Sequence, residues 1–175
     1  MPGKGDVVPR FGTRNEFEIR IVVQPQDIDD LGHVNNATYL QYVEQVARAH
    51  ADAVGMTLPR LVEIGMVPVV RRHTVTYHRP AMEGEELLVR TVITSARGAR
   101  ATRHNEVLRA LSGELLVDAD TEWVWINPET GMPRPTAPEI LEAFGMNGAG
   151  NSGARSQARA RPGTTSTTSD SRGTK

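Results

Sequence analysis

Between Asp27 and Leu40 stands the densest group of side chains able to do chemistry: Asp27-Ile28-Asp29-Asp30-Leu31-Gly32-His33-Val34-Asn35-Asn36-Ala37-Thr38-Tyr39-Leu40. Carboxylates, an imidazole and a glycine stand immediately ahead of a stretch with helical periodicity. The first N–H groups of a helix have no intrahelical acceptor, and the helix dipole leaves that end positive. An acyl carbonyl oxygen resting there is polarised, and negative charge developing on it is stabilised. A carboxylate one short loop away can then attack the carbonyl carbon or deprotonate a water.

The same residue types have simpler uses. Aspartates in turns cap backbone donors, which is the expected role of Asp27. Either Asn35 or Asn36 can act as N-cap of the helix that follows. A histidine in such a loop, here His33, commonly serves as a structural hydrogen-bonding residue.

The element that positions this cluster is the one long helical signal in the chain. No Gly or Pro interrupts Asn36 to Val54, and Leu40, Val43, Ala47, Ala51 and Val54 recur at spacings of three and four, giving one apolar stripe. Gly55 supplies a stop. Glu44 and Arg48 stand four apart, the geometry of an ion pair on a helix face. Glu44 lies eight residues beyond Asn36, roughly 12 Å along the axis. That is too far to serve a carbonyl held at the first turn.

Around the helix the chain reads as strand. Glu16–Gln24 precedes it, and Val67–Arg79, Glu85–Ala96, Ala99–Leu111 and Glu114–Asn127 follow. Breaks at Pro80–Gly84, Arg97–Gly98 and Ser112–Gly113 separate the later runs. The four later runs are roughly ten or more residues long, against a usual mode of about five or six, which is what strands wrapping a helix require. A short helical turn is expected within Thr57–Gly65 and another over Pro138–Phe144. The order predicts an α+β domain, a long antiparallel sheet of about five strands around one central helix. Its expected limits are 16–145, with a loose leader over 1–15 and a disordered basic tail over 146–175.

Composition narrows the function classes. Of 20 basic and 21 acidic residues, five basic and one acidic fall in 146–175. The remainder carries 15 basic and 20 acidic groups, and an acidic body argues against general nucleic-acid binding. The tail's charges are diluted among Gly, Ser and Thr, as in a solvated end. With no cysteine there is neither a disulfide framework nor a thiolate metal site. His50, His73, His78 and His104 show no metal-ligand spacing, so no metal site is expected. No secretory leader and no run long enough to span a membrane are recognisable, so a cytoplasmic location and no membrane association are expected.

The string Asp-x-Asp-x-x-Gly-His-Val-Asn-Asn-x-x-Tyr-Leu, continuing to Glu44 and Arg48, resembles the signature of the 4-hydroxybenzoyl-CoA thioesterase family of hot-dog proteins. It is also similar to the related acyl-ACP thioesterases, which share His-Val-Asn-Asn. The segment Val75-Thr76-Tyr77-His78-Arg79-Pro80-Ala81-Met82-Glu83-Gly84-Glu85 and the ending Thr130-Gly131-Met132-Pro133 extend the resemblance over Glu16 to Phe144. It implies a hot-dog fold and hydrolysis of an acyl-CoA or acyl-ACP thioester without metal or cofactor. It further implies that Asp29 is the catalytic carboxylate, as nucleophile or as general base, and that the Asn36 N–H donates to the oxyanion. Gly32, His33 and Tyr39 are the motif residues expected against substrate. Two chains are expected to pair edge to edge as a homodimer, or as a homotetramer built from dimers, with each active site at the subunit interface.

Arg71, Arg72, Arg79, Arg97, Arg100 and Arg103 are candidates to grip the carrier's phosphates, although strand arginines ordinarily face solvent. Trp123 and Trp125 share a strand face, so they pack the sheet or wall an acyl pocket. Two other classes share such a fold: a hot-dog dehydratase or hydratase, and a non-catalytic acyl-CoA-binding module.

Overall fold

The computed structural model describes residues 13–146. The expected leader and tail lie outside the described residues apart from positions 13–15 and 146. Strand β1 (Glu16–Val22) leads through a single 3₁₀ turn (Pro25–Asp27) to helix α1 (Asn36–Ala53) and a short α2 (Leu58–Ile64). Strands β2 (Val67–Tyr77), β3 (Glu86–Arg97), β4 (Arg100–Arg109) and β5 (Leu115–Ile126) follow, and α3 (Pro138–Ala143) closes the described chain. The five strands form one antiparallel sheet in the order β1-β3-β4-β5-β2. This is the α+β hot-dog arrangement that the sequence predicts. Among the described residues no helix is long and apolar enough to cross a membrane.

Alternation fixes the strands' inner faces. In β1, Phe17, Ile19 and Ile21 point inward while Glu16, Arg20 and Val22 face out. Leu87, Val89, Thr91 and Ile93 do the same in β3, and Arg103, Asn105 and Val107 in β4. Pro68 falls in β2, which among the described residues pairs only with β5 and so is a sheet edge. An edge is where a strand tolerates a residue without an N–H. The β3–β4 turn is Gly98–Ala99, with Arg97 opposite Arg100, one residue later than the sequence break at Arg97–Gly98.

Helix α1 begins where expected, with Asn35 as its N-cap. Its deepest face is not the Leu40–Val54 stripe. Tyr39, Tyr42, Val43, Val46, Ala47 and His50 are the buried apolar and aromatic positions, whereas Leu40, Ala51 and Val54 are half-buried. The helix is turned by about one position because two tyrosines and a histidine, each with a satisfied polar atom, supply more ring area than the aliphatic stripe. One core cluster joins α1 to β1, β3 and the middle of the sheet; a second lies under α2 and α3 around Met56, Met66, Ile93, Trp125 and Phe144. Between them a polar stripe crosses the inner face. Thr91 Oγ1 donates to Asn105 Oδ1 at 2.8 Å, and Asn105 Nδ2 donates to the Ala119 carbonyl at 3.0 Å.

Candidate active site

The loop ahead of α1 is closed on itself. Ile28 and Val34 form an isolated antiparallel bridge, and the Asp29 N–H donates to the His33 carbonyl at 2.9 Å. Between them the Gly32 N–H donates to the Asp29 carbonyl at 3.0 Å. The turn requires φ = +82° at Gly32. A Cβ there would meet nothing within 4 Å, so the glycine serves the backbone's left-handed conformation and not a close approach.

Asp29 is held by this turn. Its Oδ1 accepts the Leu31 N–H at 2.9 Å, while Oδ2 has no hydrogen-bond donor among the described residues. The His33 Nδ1 stands 3.6 Å from the same Oδ1, beyond hydrogen-bond length and within reach of an ion pair when the imidazole is protonated. Both side chains remain partly open to solvent. Asp27 plays the scaffold role expected of it. Its Oδ2 accepts from the Gln24 N–H and from the Tyr42 hydroxyl, each at 2.8 Å, and its carbonyl accepts the Asn35 N–H at 2.9 Å. Burial, then the hydrogen bond to that carboxylate, push the Tyr42 hydroxyl's pKa well up.

At the helix start Asn35 is the cap. Its Oδ1 accepts the Ala37 N–H at 2.8 Å and its carbonyl accepts the Thr38 N–H at 2.9 Å. The Asn36 N–H is left over: the residue is exposed, and no acceptor among the described residues takes it. This is one of the orphan donors of a helix terminus, open to an incoming carbonyl. Loop and helix start are joined by backbone, through the Asn35 N–H on the Asp27 carbonyl, so Asp29 and the free donor belong to one hydrogen-bonded unit.

A strap at Ala81 holds that unit to the sheet. The Ala81 carbonyl accepts the Val34 N–H at 2.9 Å, and the Ala81 N–H donates to the Tyr39 hydroxyl at 3.0 Å. Tyr39, expected against substrate, is only 2% exposed, and its ring packs edge-on against Tyr42 and Tyr77. Its place is in the scaffold behind the loop. Burial raises its pKa, offset in part by the Ala81 N–H. Tyr77 was not singled out by sequence. Its hydroxyl donates to the Asn36 carbonyl at 3.0 Å, tying the end of β2 to the first residue of α1. The only sequence signal for it was its membership of the Val75–Glu85 string.

The remaining candidates divide. Glu44 pairs with Arg48 at 2.5 Å, as their spacing predicts. Arg71 and Arg72 both pair with Glu122, and Arg79 stands 3.7 Å from Glu114. Arg103 departs from the solvent-facing expectation, because it is buried inside the sheet. Trp123 and Trp125 line a cavity of about 390 Å³ beyond the middle of α1. None of residues 27–40 borders that cavity.

The sequence profile of the thioesterase-like superfamily matches residues 23–144. The acyl-CoA thioester hydrolase YbgC of Escherichia coli is 27% identical over 128 residues, covering 73% of this chain and 95% of that protein. A chloroplastic acyl-acyl carrier protein thioesterase of Arabidopsis thaliana is 22% identical over 114 residues, or 65% of this chain and 60% of its own length. Among solved structures, a 1,4-dihydroxy-2-naphthoyl-CoA thioesterase from Synechocystis superposes with a TM-score of 0.69. It is 24% identical and covers 74% of this chain and 95% of that one, a likeness that speaks for the fold.

Proposed function

This chain belongs to the thioesterase-like superfamily and is a thioester hydrolase, and we propose that it cleaves an acyl-CoA to a free acid and coenzyme A with Asp29 as its catalytic carboxylate. The observation that carries the reading is the pairing, on one closed loop, of a carboxylate oxygen with no donor and a helix N–H with no acceptor. A thioester carbonyl whose oxygen takes the Asn36 N–H is polarised for attack. Asp29 then adds to the carbonyl carbon, giving a mixed anhydride that water opens, or it removes a proton from the water that attacks. Either route breaks the C–S bond and expels the thiolate, which leaves as the thiol once protonated. The proton comes from water on the first route and from the water-derived proton held by Asp29 on the second.

Within the superfamily, the Asp27–Leu40 string favours a place near the 4-hydroxybenzoyl-CoA thioesterases. Gly32 shapes the loop, and His33, partly open to solvent 3.6 Å from Asp29, is the side chain a passing carrier would meet. Tyr39 acts from behind, by fixing Ala81. Two chains pair through the free edge of β2, which would otherwise present an unpaired row of backbone groups to other chains. The similarity to the Arabidopsis protein makes acyl carrier protein the alternative carrier.

The test is thiol release from short, long and aromatic acyl-CoAs by the wild type and by Asp29→Asn. The amide retains an acceptor for the Leu31 N–H, so the variant should keep the wild-type melting temperature while turnover falls at least about 10²-fold. Near-normal turnover in the variant would remove Asp29 from the mechanism. Hydrolysis of acyl-ACP but not acyl-CoA would reassign the carrier.

A further inference from the structure

The cavity beyond the middle of α1 contains an uncompensated charge. Arg103 projects from the inner face of β4 and is 8% exposed. Its Nη1 donates to His50 Nδ1 at 3.0 Å and, more weakly, to Thr91 Oγ1 at 3.5 Å. His50 donates through Nε2 to the Arg14 carbonyl at 2.8 Å, so its Nδ1 is the acceptor and the ring is neutral. Phe17 stacks on this imidazole at 5.3 Å, and Phe144 closes its edge and covers the guanidinium at 5.4 Å. Among the described residues no carboxylate lies within ion-pair distance of Arg103, and its Nε and Nη2 have no acceptor.

Burying a cation without a counter-ion costs several kcal/mol, which is why buried charges are ordinarily paired. The cost has its sign in the desolvation that lowers the Arg103 pKa to about 10. The indole N–H groups of Trp123 and Trp125 are buried and have no hydrogen-bond partner, and both rings line the same cavity. Within the cavity the guanidinium is set among apolar surface from Met56, Leu61, Ile93, Ile140 and Phe144, while the lining's two carboxylates, Glu44 and Asp52, belong to exposed residues and Glu44 is paired with Arg48. The cavity volume of about 390 Å³ falls in the range of small-ligand sites.

We infer that this cavity is a binding site for an amphipathic monocarboxylate, the carboxylate engaging the free edge of the Arg103 guanidinium and the apolar body lying against Trp123 and Trp125. A carboxylate supplies two acceptor oxygens to a planar fork of donors and the missing negative charge at once; an alcohol or a hydrocarbon supplies neither. Glu44, the rim residue on α1 nearest the catalytic loop, lies roughly 12 Å along the helix from Asn36, so the site is separate from the Asp29 loop. The inference rests on the buried cation and not on the hydrolase mechanism, although the acid released by thioester hydrolysis is a member of the class.

The protein's two tryptophans both line the cavity, so their emission reports its occupancy. The full chain is titrated at neutral pH with octanoate, decanoate and dodecanoate, and with the alcohols of matching length, all below micelle formation. At least one carboxylate should give a saturable change, with an affinity at least tenfold above that of its alcohol. Arg103→Met should abolish the preference, and Ala51→Leu, which narrows the cavity and leaves Arg103 in place, should weaken both ligands. Equal affinity for acid and alcohol, no saturable response to any carboxylate, or full carboxylate affinity in Arg103→Met would each overturn the proposal. If Arg103→Met does not fold, the acid–alcohol ratio and the Ala51→Leu variant decide it. The Asp29→Asn variant should bind carboxylates as the wild type does, whatever becomes of its turnover.

Discussion

His50 makes the folded protein sensitive to acid in a window that can be calculated. Its side chain is fully buried between Phe17 and Phe144. Burial first, then the Arg103 charge, lower its pKa from 6.5 to about 4, against a smaller opposing effect of the Arg14 carbonyl. The unfolded chain therefore binds this proton at higher pH than the folded one does. The stabilisation from keeping the ring neutral is complete above about pH 6.5 and is lost as the pH falls toward 4. At about 1.4 kcal/mol per pH unit, the loss between pH 7 and pH 4 comes to about 3 kcal/mol. A single domain has only about 5–15 kcal/mol in total, so this is a large share. The control is His50→Gln, whose amide can accept from Arg103 and donate to the Arg14 carbonyl but does not titrate. Urea unfolding of both proteins at half-unit steps from pH 4 to pH 7 isolates the effect, because other acid-sensitive groups cancel in the difference. The stability difference between wild type and variant should rise by about 3 kcal/mol toward pH 7, most of it below pH 6. A difference that stays flat across the window would show that His50 is not held neutral by this environment.

Two further substitutions probe the loop and the helix start. Gly32→Ala meets no atom but must adopt φ = +82°, which costs an L-residue about 1–2 kcal/mol; urea unfolding should show that loss together with reduced turnover, and an unchanged protein would mean that the turn does not need the left-handed conformation. Asn35→Ala removes the acceptor of the Ala37 N–H and should cost about 1 kcal/mol of stability. Because the first turn carries the Asn36 N–H, kcat should fall several-fold as well, and Asn35→Asp, which retains the acceptor, should restore both.

The elements were legible in the sequence because alternation and helical periodicity are local. Phe17, Ile19 and Ile21 announce β1's inner face two residues at a time, and Asn35 and Gly55 bracket α1 through backbone chemistry that depends only on near neighbours. The Asp27–Asn36 loop was legible for a similar reason. The bridge between Ile28 and Val34, the Gly32 turn and the Asn35 cap all close within the ten residues Ile28 to Ala37. What lay hidden depends on the sheet order. Tyr39 belongs to the motif, and the resemblance alone suggested substrate contact, yet its hydroxyl turns away to Ala81, forty-two positions on. Tyr77 reaches Asn36 across forty-one positions.

The cation site shows the same limit from the other side. Arg103 appears in sequence as one of six candidate arginines, with nothing local to set it apart from Arg71 or Arg72. Its register does so: β4 lies between β3 and β5, which puts Arg103 in the middle of the sheet on the face that α1 covers. His50 then meets it across fifty-three positions. Arg71 and Arg72 lie instead on the edge strand β2, where solvent and Glu122 balance their charge. The difference between an ordinary surface arginine and a buried cation with no carboxylate beside it is therefore set by strand order. That order also separates the two ends of α1, leaving the free Asn36 N–H at the N-terminal end and the cavity that holds Arg103 against the far half.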